Sequence, residues 1–267
     1  MESTPSLLET TSTNTQESVG SDAAVPPLHL LLDAGYGIPR EARPRQEKVL
    51  AIAKQIANFL AWQCQQQDSS CSLRAPVTVV GCPNDDMKTA LLERLKQLWG
   101  DTTEIGRQSA ERPTTVGEES SGNKRLPPHF SFAKDLEHSN ELLQNAVYLS
   151  PDASSALDPC GAPPSKVIVG LLIDRRIQPN RSLNRSEKLE IPPRRWPMEV
   201  IEDYHHPQEP LNVDTILEAL QQWSWNHEGS STTQERHVQD DTPFRRASLQ
   251  AFQHHAQRHP ARPKHKP

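Results

Sequence analysis

Hydrophobic positions along this chain fall into two forms: short apolar runs, and longer stretches in which apolar residues recur every three or four positions. The runs are residues 28–33, Val77-Thr78-Val79-Val80, Ala146-Val147-Tyr148-Leu149 and Val167-Ile168-Val169-Gly170-Leu171-Leu172-Ile173. They are short, and 77–80 and 167–173 are rich in β-branched side chains, which predicts strands; the continuous apolar character of 167–173 and 77–80 predicts burial on both faces. Helical spacing appears at Val49, Ile52, Ala53, Ile56 and Leu60 within 45–66, with Trp62 extending the stripe. It recurs at Leu91, Leu92, Leu95 and Leu98, behind an Asn84-Asp85-Asp86 cap, and at Val213, Ile216, Leu217, Leu220 and Trp223 within 212–225. Weaker signals predict an edge strand at 129–132, a helical turn at 139–143, a short helix at 182–189 with Ser182 as its cap, and a strand at 194–198. Strands that alternate with helices predict an α/β fold, a mostly parallel sheet flanked by helices.

The pattern stops at both ends and once inside. Residues 1–27 are Ser/Thr-rich and weakly acidic and end in Pro26-Pro27, so they read as a disordered amino-terminal segment. Residues 28–228 read as one domain with a flexible insertion at 100–128, and 229–267 as a basic, His-rich tail. A hydrophobic content of 34% with 24 prolines agrees with a chain that is only partly core. No apolar run approaches the roughly 18 residues of a membrane span. The start has neither a basic nor an apolar signal region, and its acids (Glu2, Glu9, Glu17, Asp22) argue against a mitochondrial presequence. The expectation is a protein of the nucleus, the cytoplasm or both, not secreted. Cys64, Cys71, Cys82 and Cys160 form no CxxC pair and read as reduced thiols. His254, His255 and His259 lack a cysteine or carboxylate frame, so no metal site is expected.

The net charge of -5 conceals local excesses of the opposite sign. Between 166 and 195 there are eight Lys/Arg against three acids, and from Arg236 onward seven Lys/Arg and five His against two acids. A polyanion responds to such local charge, so an acidic total does not exclude RNA.

Residues 166–198 organise the chain. A buried strand ends there on Asp174, and a basic loop follows at once, Arg175-Arg176-Ile177-Gln178-Pro179-Asn180-Arg181. A carboxylate at the carboxyl end of a parallel strand lies where α/β sheets hold their ligands. The run 28–33 likewise ends in an acid, Asp33, followed by Ala34-Gly35-Tyr36-Gly37, whose glycines suit a tight turn or a close approach to a ligand.

Taken in order, Tyr148-Leu149-Ser150-Pro151-Asp152-Ala153, Gly170-Leu171-Leu172-Ile173-Asp174, Leu189-Glu190-Ile191, Arg195-Trp196-Pro197-Met198 and Leu211-Asn212-Val213-Asp214 resemble the tRNA (guanine-9 N1)-methyltransferases of the SPOUT superfamily. The resemblance covers roughly 28–225 and rests on the order and spacing of the motifs. Leu171 stands where the family has a second glycine, Arg176 an asparagine, Glu190 a glycine, Trp196 a leucine and Asp214 an asparagine. The resemblance implies an α/β domain whose carboxyl-terminal part forms a trefoil knot around S-adenosylmethionine, and a monomer that takes tRNA as its partner, with no membrane and no metal. It implies Asp174 as the catalytic residue. Leu149, Ser150, Gly170, Ser182, Trp196, Met198, Leu211 and Val213 are implied as cofactor-binding, with plain core packing the alternative for the aliphatic members and at least as strong a reading for Val213. Arg175, Arg176, Arg181 and Arg185 are the expected RNA contacts. The activity implied is methylation of guanine N1 at position 9 of tRNA. The alternatives are the same reaction on adenine, or an inactive tRNA-binding subunit of a processing complex.

Overall fold

The computed structural model describes residues 27–37, 39, 41–66, 74–107, 125–133, 136, 140–172, 178–200, 211–228 and 242–258. Among them are six strands, β1 (His29–Asp33), β2 (Val77–Val80), β3 (Phe130–Phe132), β4 (Ala146–Leu149), β5 (Lys166–Gly170) and β6 (Pro193–Arg194). They form one sheet in the order β3-β2-β1-β5-β4-β6, and every pair is parallel. The α/β reading, a parallel sheet flanked by helices, therefore holds. The apolar runs take the central places because both of their faces can be covered, and Leu30, Leu31 and Leu32 of β1 have no exposed surface at all.

One face of the sheet carries α1 (Ala42–Gln65), α2 (Asp85–Arg107), α5 (Val213–Glu228) and α6 (Pro243–Arg258), with α1 packed between α2 and α5, and α5 against α6. Their apolar stripes meet Leu30, Leu32, Val77, Val79, Val167 and Val169 in the main core. The opposite face is smaller. It gathers Leu31, Tyr36, Val80, Tyr148, Ile168, Leu189 and Ile191, beside α3 (Asn140–Leu143) and the end of α4 (Arg181–Lys188). Asn84 caps α2 as expected, its Oδ1 accepting the Met87 N–H at 2.8 Å.

Four expectations are corrected. The tail reading fails over 243–258, which form α6: Thr242 Oγ1 accepts the Arg245 N–H at 3.1 Å, and Phe244, Ala247, Ser248 and Ala251 are buried against the domain. The flexible-insertion reading fails over 100–107, where α2 continues to Arg107. The strand expected at 194–198 is Pro193–Arg194, followed by a bridge from Arg195 to Ala156. Pro197 has no N–H to extend the ladder, and Met198 opens a 3-10 turn (Met198–Val200). Ser182 does not cap α4, which begins one residue earlier with Asn180 in the left-handed region at φ 58°.

Of the segment 1–27 that was expected to be disordered, all but Pro27 lies outside the described residues, as do 108–124 of the expected insertion and 229–241 and 259–267 of the expected tail. In the carboxyl-terminal part, where the resemblance implies a knot, the connections 173–177 and 201–210 are likewise outside them. No described helix is long and apolar enough to cross a membrane.

Candidate functional site

Because all strands are parallel, their carboxyl ends line one edge of the sheet. Asp33, Gly81, Ser150 and Gly170 stand side by side there, fixed by the register Asp33↔Val80, Asp33↔Gly170 and Leu149↔Val169. Such an edge is where a ligand of an α/β sheet sits.

Asp33 is the centre of this edge and has no exposed surface. Its Oδ1 accepts the Gly35 N–H at 2.8 Å. Its Oδ2 accepts the Tyr148 hydroxyl at 2.9 Å and Arg185 Nε at 3.0 Å. Three donors make both oxygens acceptors, so the single Tyr148 proton is committed to Asp33. The Tyr36 hydroxyl, which bonds Tyr148, must then donate its own proton to the Tyr148 oxygen. Burial, with Asp33 as a nearby negative charge, pushes the Tyr148 hydroxyl far above its ordinary value. Burial likewise raises Tyr36, to about 12, against the lowering effect of its bond to Tyr148. Both phenols therefore stay protonated at neutral pH, and the chain Tyr36 to Tyr148 to Asp33 keeps one direction.

The glycines of this edge make room for side chains. A Cβ on Gly170 would lie 2.8 Å from the Tyr36 hydroxyl and 2.9 Å from its ring. The space expected to admit a cofactor at Gly170 is thus taken by Tyr36, over whose ring the Arg181 guanidinium lies at 5.5 Å. A Cβ on Gly35 would meet Arg185 Nη2 at 2.6 Å and Asp33 Oδ1 at 2.9 Å.

Of the residues expected to hold the cofactor, Leu149, Ser150, Ser182 and Trp196 lie on three segments that hydrogen bonds tie together. Leu149 and Ser150 close β4; the Ser150 N–H donates to Arg194 O at 2.9 Å, which brings the Arg195-Trp196 segment alongside. Ser182, in the first turn of α4, donates its hydroxyl to Ser150 Oγ at 2.9 Å, and both side chains are buried. Trp196 is buried with no hydrogen-bond partner for its indole N–H. The indoles of Trp62 and Trp223 are likewise buried without a partner, so this donor alone does not mark a ligand. On the main-core side Trp196 packs on Phe244 of α6, ring centroids 4.8 Å apart, and Phe244 in turn meets Trp223 at 4.9 Å. Met198 and Leu211 are half-buried against the same core. The Val213 N–H is taken by Gln55 Oε1 at 2.7 Å, which favours the packing alternative for that residue.

Asp174, Arg175 and Arg176 lie outside the described residues. Of the other expected RNA contacts, Arg181 stands at the edge over Tyr36 and bonds Gln178. Arg185 is turned inward to Asp33 instead, with its side chain 15% exposed. The Asp33 network is what sequence reasoning missed. The one signal for it was a second acid ending a buried strand, since a partner 152 positions away leaves no local pattern. Among the described residues no group of three or more His, Cys, Asp or Glu is placed to hold a metal ion.

No protein-family model matches the chain, and no curated protein matches its sequence. Solved structures similar to it include full-length spTrm10 in complex with SAH, at 13% identity over 85% of this chain and 97% of that one, with a TM-score of 0.49. A second is spTrm10(74), at 15% identity over 85% and 95% of the two chains, TM-score 0.48. A third is a dual-specific Trm10 from Thermococcus kodakaraensis, at 13% identity over 84% and 99%, TM-score 0.46. With TM-scores below 0.5, these likenesses decide neither fold nor activity.

Proposed function

We propose that this chain is an S-adenosylmethionine-dependent tRNA methyltransferase acting on N1 of guanine at position 9. The observation that carries the reading is the bonded pair of buried hydroxyls, Ser150 after β4 and Ser182 in α4, at the carboxyl edge of a parallel sheet, with the Arg194–Trp196 segment held along β4. Of these, Ser150, Ser182 and Trp196 are residues the motif resemblance assigns to the cofactor. They would hold it there, and it supplies a methyl group on a sulfonium. Guanine N1 carries a proton and attacks only as that proton leaves, so the reaction needs a base, the role Asp174 has in this reading. Arg175, Arg176 and Arg181 then meet tRNA phosphates, whereas Arg185, already committed to Asp33, has a structural part.

The test is nucleoside mass spectrometry of tRNA transcripts carrying G or A at position 9 after incubation with the purified chain and the cofactor. The G transcript should yield 1-methylguanosine, and Asp174→Asn should slow it by about 10²-fold or more. Methylation of neither transcript overturns the reading. Adenine N1 already offers a lone pair, so activity on the A transcript that survives Asp174→Asn would move the assignment to adenine.

One observation favours a binding-only protein: the Tyr36 ring occupies the space beside Gly170. Such a protein binds tRNA with an affinity that falls as salt rises, by about 0.7–0.9 log units per log unit of salt for each phosphate contact. It gives no calorimetric signal with S-adenosylmethionine.

A further inference from the structure

We propose that Asp33 is a positioning residue: through Arg185 it fixes α4 against the sheet, and with it the Ser182–Ser150 pair. Only the identity of what that pair binds rests on the methyltransferase reading.

The argument begins with α4 itself. It has eight residues, mostly polar, of which Ser182 and Ser186 are buried. A helix so short and polar is not stable alone and takes its place from its tertiary anchors. One anchor is the Asn180 N–H to Asp152 Oδ2 bond at 2.7 Å, which is exposed, and another is the Ser182–Ser150 bond itself. The carboxyl end is fixed by Leu189 and Ile191 in the smaller core. The charged anchor is the Arg185–Asp33 pair at 3.0 Å, with Asp33 fully buried. Charge-assisted bonds are the strong ones, and this one ties the middle of α4 to the central strand of the sheet. Arg185 lies one helical turn from Arg181 and Ser182, so its tether sets the rotation of the turn that carries them.

Space has been kept for the pair. Any Cβ on Gly35 or Gly81 would come within 2.9 Å of Asp33 Oδ1, and one on Gly35 within 2.6 Å of Arg185 Nη2. Yet a buried ion pair adds little net stability, and well-packed apolar residues in its place are often neutral or better. A pair with room built around it and little stability to gain is accounted for by geometry: it holds α4 in one register against β4.

The experiment compares the full chain with Asp33→Asn, Arg185→Met and, as a control for stability alone, Ile168→Val. Ile168 lies in β5 under the same edge with no exposed surface, and losing its methyl should lower Tm by a few degrees. Hydrogen exchange followed by mass spectrometry reads α4 directly. Asp33→Asn and Arg185→Met should speed exchange in 181–189 by about tenfold or more while 166–170 stays protected, and Ile168→Val should not. Calorimetry with S-adenosylhomocysteine should give a Kd about tenfold weaker in the first two variants and unchanged in the third. Unchanged α4 exchange in both variants overturns the proposal. So does equal loosening by Ile168→Val, and so does a loosened α4 whose Kd has not moved. If the wild type binds no S-adenosylhomocysteine but α4 loosens as described, the methyltransferase reading fails and the positioning role stands. Should Asp33→Asn not fold, Arg185→Met decides, because it leaves Asp33 its Gly35 and Tyr148 donors.

Discussion

Glu218 offers a sharp test of the α5–α6 packing, because its titration is set by the helix that sequence reading left as a tail. Its carboxylate has no exposed surface and is paired with Arg258 of α6; His254 Nδ1 stands 3.6 Å from Oε2. Burial raises its pKa from 4.5 to about 7, Arg258 opposes the rise, and Asp214 adds to it. The unfolded chain ionises this group near 4.5, so between 4.5 and 7 the folded state holds the extra proton. Stability from this group is therefore greatest at acid pH and is lost as pH rises towards 7. The displacement from 4.5 to about 7 is worth at most roughly 3 kcal/mol at 1.36 kcal/mol per unit. His254 works the other way. Burial, helped by Arg258, lowers its pKa, so it costs stability when pH falls below its ordinary 6.5. Glu218→Gln removes the first effect and keeps the second. Urea unfolding of both proteins from pH 8 to pH 5 should therefore show the wild type gaining about 2–3 kcal/mol relative to the variant on acidification. Parallel curves over that range would refute the reasoning.

Two further outcomes follow from packing and backbone. Phe244→Ala empties a site 1% exposed between Trp196 and Trp223 and should cost about 3–5 kcal/mol, a fall in Tm on the order of 10 °C by calorimetry; a change under 2 °C would return α6 to the status of a tail. Glu190→Gly should raise stability by up to about 1 kcal/mol in urea unfolding, since Glu190 sits at φ 55° just past α4, a left-handed position that glycine fills without strain; a loss of stability would contradict that account.

Glu190 also shows how far the sequence could be read. Its φ, with the Ile191 N–H bonded to Ser186 O and the Glu190 N–H to Glu187 O, is the usual helix exit, so the glycine expected by resemblance marks a real backbone requirement. Buried strands were legible because Val77-Thr78-Val79-Val80 and Val167-Ile168-Val169 carry their burial in their own composition. Helix α6 was not, because its buried face is mostly small, Ala247, Ser248 and Ala251 behind one Phe244, among glutamines and histidines. Its signal was the Thr242-Pro243 start with apolar residues three and seven positions after Phe244. The candidate site was legible as a set of motifs, but the pairing of Asp33 with Arg185 joins two segments whose own patterns say nothing of each other. The same holds for Tyr36 against Gly170, where the glycine was visible and its occupant was not.

The place of β1 has a consequence for how the chain is made. It is the first strand among the described residues yet lies inside the sheet, between β2 and β5. During synthesis β2 emerges soon after it, but the strand that covers its other side appears only after β3 and β4. In the interval Leu30, Leu31 and Leu32 present an unpaired apolar edge, the kind that templates association with other chains. Helix α1, next in the sequence, can cover Leu30 and Leu32 on one face early, but the β5 side of the strand stays open until residues 166–170 are made, so folded yield should fall when synthesis stalls between β4 and β5.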